Sequence, residues 1–246
     1  MQADTMQADT SPDRLAPLPE DWQRALAVVA HPDDMEYGAA AAVARWVQQG
    51  KHVAYALVSD GESGIATMHP DKAGPLRRDE QLASCEIVGV TDVEFLGHRD
   101  GRIVEGVELR AELAGLLRRH RPDVVLSINY RDWWGNGSWN HADHRAVGRA
   151  LLDAVRDAAN PWLFTDRGEA WNGVRFVAFS GSPYATHAVD TSATFDVGVR
   201  ALAAHRTFLE HLGGEFAEPY SSLREAAVSA GRRLGVELAT AFEVID

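Results

Sequence analysis

The chain has 246 residues, 46% of them hydrophobic, enough for one sizeable core and, in an α/β protein, a single unit. A formal net charge of −12 and a pI near 5.2 exclude a general electrostatic binder of nucleic acid. No run reaches the roughly 18 apolar residues of a membrane span, and no basic-then-apolar leader opens the chain. A single cysteine, Cys85, excludes a disulfide framework and reads as a buried thiol. The expected location is the cytoplasm, and a homo-oligomer is left open.

Residues 1–10 are MQADT written twice, which defines no structural repeat and is set aside from the fold. The Pro- and Asp-rich residues 1–20 are expected to be poorly ordered, and 21–246 to form one domain. From residue 25 short apolar runs alternate with amphipathic ones. ALAVVA (25–30) reads as a strand, GAAAAVARWVQQG (38–50) as a helix ending at Gly50, and HVAYALVSD (52–60) as a second strand. LRRDEQLASCEIVGV (76–90) reads as a helix with Leu82, Cys85, Ile87 and Val88 near one face, and DVEFLG (92–97) as strand three. A helix over 107–121 with a basic last turn, a strand over 123–130, a helix over 144–159 and a strand over 174–181 follow. This rhythm, with strands too apolar to have a wet face, predicts a Rossmann-like three-layer α/β sandwich around a mainly parallel sheet.

Ligands of such sheets sit beyond the carboxyl ends of the strands. That is where the polar residues fall: His31–Asp34 and Glu36 after strand one, Asp60 and Glu62 after strand two, His98 and Asp100 after strand three. No GxGxxG follows strand one, and acids in that turn would repel a pyrophosphate, so a dinucleotide site is disfavoured. NGSWNHADHRAVG (136–148) places His141 and His144 on one face at a helix start, with Asp143 beside them. Each cluster alone has an ordinary reading: Pro32 and its acids as a helix start, Asn140 or Asp143 as a helix cap. Together at one rim they supply two imidazoles and a carboxylate, the usual donors of a catalytic zinc site with one open position. A further carboxylate and histidine remain for proton transfer and oxyanion stabilisation.

AHPDD after the first strand and a later H-x-D-H resemble the LmbE/PIG-L superfamily of zinc-dependent N-deacetylases. VSDGESG, the helix over 76–90, FLGHRDG and AVDTSATFDVGVRALAAH extend the resemblance from about residue 25 to 205. It implies His31, Asp34 and His144 as ligands of Zn²⁺, with Fe²⁺ or Co²⁺ as substitutes. It also implies Asp33 as general base, His141 as the polarising or acid group with Asp143 supporting, and Glu62, Arg77 and Asp100 at sugar hydroxyls. An Arg77–Glu80 helix ion pair and an Asp100–Gly101 turn are the ordinary alternatives for that last group.

Two departures from the family pattern stand out. The usual H-P-D-H has Ala142 in place of proline, and the terminal H-x-S-Q becomes His205-Arg206-Thr207-Phe208, where His205 reads as a packed histidine. In RDWWGNGSWN (131–140), Trp133, Trp134 and Trp139 either pack on the core's edge or stack on substrate, with Trp139 the best placed. The implied reaction removes an acetyl group from the nitrogen of an N-acetylated sugar or glycoconjugate, a small-molecule substrate. Rival readings are a zinc amidase on another amide, such as a thiol conjugate, and a non-catalytic metal-binding domain. Retained Asp33 and His141 argue against the last.

Overall fold

A computed structural model describes residues 14–214 and 217–246. Among these, eight strands form one sheet in the order β1-β7-β8-β6-β5-β2-β3-β4. Strand β2 (Arg24–Val29) lies between β3 (His52–Ser59) and β5 (Val124–Ile128), and both pairings are parallel. β4 (Asp92–His98) extends the sheet beyond β3, and β6 (Phe176–Ser180) extends it beyond β5. The chain therefore leaves β2 in one direction and returns to its other side, which makes the β2/β5 crevice the topological switch point.

Alternation along β2 explains the layers. Ala25, Ala27 and Val29 pack with Val43, Trp46 and Phe242 on one face, while Leu26, Val28 and Ala30 pack with Leu113, Leu117 and Leu151 on the other. A strand buried on both faces cannot alternate apolar with polar, which is why it reads as a solid apolar run. Helices α2 (Ala40–Gln48), α3 (Pro70–Val88), α4 (Val107–His120) and α5 (Ala142–Ala159) follow β2, β3, β4 and β5 in turn.

Several boundaries differ from the sequence reading. The helix expected from residue 38 is two helices, α1 (Asp34–Gly38) and α2, divided at Ala39, whose φ of −148° is not helical. α3 starts at Pro70 rather than near 76, because His69 caps it through the Asp71 N–H and Pro70 sits at the first helical position. Of the four residues expected on the buried face of α3, Cys85 and Val88 are buried and Leu82 and Ile87 are exposed; the rest of the buried face is Ala73, Gly74, Arg77, Gln81 and Ser84.

The MQADT repeat lies outside the described residues; part of the 1–20 segment is described. β1 (Ala16–Pro17) pairs with β7 (His187–Asp190), and Leu15 and Leu18 are buried. The C-terminal part adds α6 (Phe195–Ala203), α7 (Arg206–Leu212), α8 (Pro219–Leu234) and β8 (Ala239–Ile245). β8 runs antiparallel to both β6 and β7, so the sheet is mainly but not wholly parallel. No described helix is long and apolar enough to cross a membrane.

Candidate active site

The turn after β2 is folded by its own acid. One carboxylate oxygen of Asp34 accepts the backbone N–H groups of Ala30 and His31, at 3.0 and 2.9 Å, and pins the turn to the strand end. Asp33 takes the left-handed conformation, φ 85°, a strained choice for a residue with a Cβ. It separates the two acids: Asp34 turns toward the histidines and Asp33 toward α3. The Asp33 N–H donates to Gln81 Oε1 at 3.0 Å, and Arg77 Nη2 donates to its carboxylate at 2.9 Å. Burial pushes the Asp33 carboxyl up to about 6; Asp34 adds to the rise, and Arg77, His205 and His31 oppose it.

The second half of the site is the start of α5. Asn140 donates through its amide to the carbonyls of Asn129 and Arg131, so its Oδ1 is left as an acceptor, 2.9 Å from His144 Nδ1. That nitrogen therefore carries the His144 proton, and Nε2 presents a lone pair. His31 Nε2 faces Asp100 Oδ1 at 3.1 Å and Asp143 Oδ2 at 3.2 Å, which places its proton there and leaves a lone pair on Nδ1. Both lone pairs converge with Asp34. His31 Nδ1 and His144 Nε2 are 3.2 Å apart, His144 Nε2 and Asp34 Oδ1 3.0 Å, and His31 Nδ1 and Asp34 Oδ2 3.7 Å.

Two ring nitrogens and a carboxylate directed at one point fit a cation between them, a shared proton or a metal ion. Donors of a tetrahedral zinc, at about 2.0–2.2 Å from the ion, stand roughly 3.2–3.6 Å apart, and these three are close to that spacing. Burial works against charge on His31, but Asp100, Asp143 and Asp34 outweigh it and raise its pKa well above the ordinary value; the acids favour positive charge on this ring, and a metal bound at Nδ1 would take the place of a proton there. Burial likewise opposes ionised Asp34, but His144 and His31 keep it below the usual carboxylate range. Nitrogens of His31, His141 and His144 also lie within 4.8 Å of one another.

His141, exposed at the α5 N-terminus, accepts the Asp143 N–H on Nδ1 at 3.2 Å. Burial and the nearby His31 and His144 lower its pKa, which favours the neutral ring. With Nδ1 occupied as acceptor, the proton of that ring is on Nε2, and the residue lines the cavity.

The residues expected at sugar hydroxyls have protein partners of their own. Arg77 is 3% exposed, donates to the Pro32 and Gly61 carbonyls as well as to Asp33, and stacks on Phe208 at 4.0 Å. Asp100 holds His31 and accepts the Ser63 N–H, and Glu62 accepts the Asp100 N–H. Arg77 and Asp100 also line the cavity, while Glu62 reaches the site only through Asp100. Trp139 is 55% exposed against Trp133 and Arg145, outside the cavity; Trp134 lines it, 5.9 Å from the His144 ring. Asp60 and His98 stay outside the cluster, paired with Arg78 and Glu112.

Sequence reasoning missed Gln81, read Asn140 only as a helix cap, and gave Glu36 no role. Gln81 Nε2 and Ser84 Oγ donate to Glu36 Oε1 at 2.9 and 2.8 Å, and fully buried His205 places Nε2 3.6 Å from Glu36 Oε2. The available signal was spacing: Arg77, Gln81, Ser84 and Cys85 stand at i, i+4, i+7 and i+8, a polar stripe on one face of α3.

The model of the PIG-L family, described as GlcNAc-PI de-N-acetylase, matches residues 26–155. The chain is 30% identical to the diacetylchitobiose deacetylase of Thermococcus kodakarensis over 87% of its own length and 80% of that relative's. It is 31% identical to the 1D-myo-inositol 2-acetamido-2-deoxy-alpha-D-glucopyranoside deacetylase of Geodermatophilus obscurus, over 61% of this chain and 58% of that one, so it spans under two thirds of this second relative. The fold matches that of the N,N'-diacetylchitobiose deacetylase of Pyrococcus horikoshii with a TM-score of 0.81 at 24% identity, covering 92% of this chain and 85% of that one.

Proposed function

This chain belongs to the PIG-L family of de-N-acetylases, and from that footing we propose that it hydrolyses the acetamide of a small N-acetylated amino sugar at the β2/β5 crevice. The products are acetate and the free amine. The observation that carries the reading is the convergence of His31 Nδ1, Asp34 and His144 Nε2 on one point, with Asp33 and His141 beside it. These three fit a divalent metal, in our reading Zn²⁺, which when bound supplies Lewis acidity to the amide carbonyl and a nucleophile at neutral pH. Asp33 accepts the proton of the attacking water, and Arg77 and Gln81 fix its direction. The neutral His141 directs its Nε2–H at the carbonyl oxygen, where negative charge develops. Asp143 holds His31 and is itself anchored by the Gly101 and Ile103 N–H groups at 2.7 and 3.1 Å.

The test separates the two adjacent acids. Asp33→Asn is expected to keep about one zinc per chain while kcat falls roughly 10²-fold or more, the scale of general acid–base catalysis. Asp34→Asn and His144→Ala are expected to lower metal occupancy instead, with partial recovery of activity in excess Zn²⁺. Metal content and amine release from N-acetylglucosamine and diacetylchitobiose are measured on the same preparations. An Asp33→Asn protein that loses its metal while Asp34→Asn retains it would reverse the assignment.

A further inference from the structure

The cavity at the site continues well past the His/Asp cluster. Its volume is about 1040 Å³, at the upper end of the roughly 300–1,000 Å³ usual for small-molecule sites. The acids that line it, Asp33, Asp34, Glu36 and Asp100, all belong to the catalytic end. Beyond Ala40 and Ala41 the walls come from α6, α8 and β8: Phe195, Leu223, Ala227, Ala230 and Ala239. Among the described lining residues the charge in this arm is Arg233, and its other polar groups are hydroxyls. The alanines leave width that leucine or isoleucine would fill. A second sugar ring here would bury hydroxyls against hydrocarbon with few partners, a costly arrangement. An alkyl or aryl group has no such cost and gains from leaving water.

We propose that this arm binds an apolar alkyl or aryl group covalently attached to the amino sugar, as an aglycone or as a longer N-acyl chain. The proposal rests on the deacetylase reading above. Two substrate series distinguish the sources: methyl, butyl and octyl glycosides of N-acetylglucosamine, and N-acetyl, N-butanoyl and N-octanoyl glucosamine, each followed by amine release. Each methylene buried in the arm is expected to raise kcat/KM up to about three- to fourfold. In one series the longest member should therefore exceed the shortest at least tenfold, mainly through KM. Ala226→Trp, at an exposed α8 position that lines the arm, should bring that ratio close to one.

Ratios within about twofold of one in both series, with amine still released, overturn the proposal. If no member of either series is hydrolysed, the deacetylase reading is what fails. The arm is then decided by calorimetry with methyl and octyl glucosaminides. Tighter octyl binding with a more negative heat-capacity change sustains it, and equal binding overturns it.

Discussion

Asp33 combines three demands at one residue: a left-handed backbone, a buried carboxyl and a fixed direction. Gln81 meets part of each, since its oxygen accepts the Asp33 N–H while its nitrogen is oriented by Glu36. Gln81→Met keeps the volume and removes both bonds, leaving a buried N–H unpaired at a cost of about 1–3 kcal/mol. The expected outcome is a kcat reduced roughly 10- to 100-fold, the range that follows from a sub-ångström misplacement of a reacting group. KM and metal content should stay within about twofold. A loss of metal parallel to the loss of kcat would show that Gln81 supports the fold of the site rather than the aim of Asp33. The residue was hidden because amphipathic reading looks for apolar stripes, and the buried face of α3 is polar where it backs the site. Trp139 was misplaced for a related reason. Nearness in sequence to His141 says nothing of direction, and the 131–140 segment turns Trp134, not Trp139, toward His144.

The segment between β3 and α3 is shaped to admit one guanidinium. A Cβ on Gly61 would lie 2.2 Å from Arg77 Nη1, one on Gly64 2.5 Å from the same atom, and Gly61 also has φ 65°. The GESG run, legible only as a motif match, thus has a steric cause: it leaves space for the side chain that holds Asp33. Gly61→Ala is expected to add about 1–2 kcal/mol of backbone strain and to displace Arg77, lowering kcat/KM at least tenfold. Gly50→Ala is the control, because Gly50 has φ 83° but nothing within 4 Å of the added methyl. Denaturant unfolding and kinetics on both proteins separate the effects. Comparable stability losses with a kinetic loss confined to Gly61→Ala support the guanidinium pocket, and an equal kinetic loss in Gly50→Ala refutes it.

The parallel half of the sheet was readable because β2, β3, β5 and β6 are apolar runs covered on both faces, and periodicity marks the helices between them. The antiparallel half was not. β8 is defined by pairing with β6 and β7, and its buried Glu243 makes sense only beside Arg131 and Ser182, 112 and 61 residues away. The same long-range character governs the site, since His31 and Asp34 follow β2 while His144 arrives after β5, so the donors meet only when the crevice between these strands is formed. A metal held by all three binds the folded chain and not the unfolded one, and stabilises it by mass action. At free metal about 100 times the dissociation constant this amounts to roughly 2.7 kcal/mol. For a chain of this size each kcal/mol moves Tm by about 2–4 °C, so chelation should lower Tm by roughly 5–11 °C from the zinc-loaded value. Asp33→Asn should retain that difference and Asp34→Asn should lose most of it. Thermal scans of the three proteins with Zn²⁺ and with chelator read this without any substrate. A Tm in the unsubstituted protein indifferent to zinc and to chelator would mean that the convergence of His31, Asp34 and His144 holds no metal tightly enough to matter to the fold.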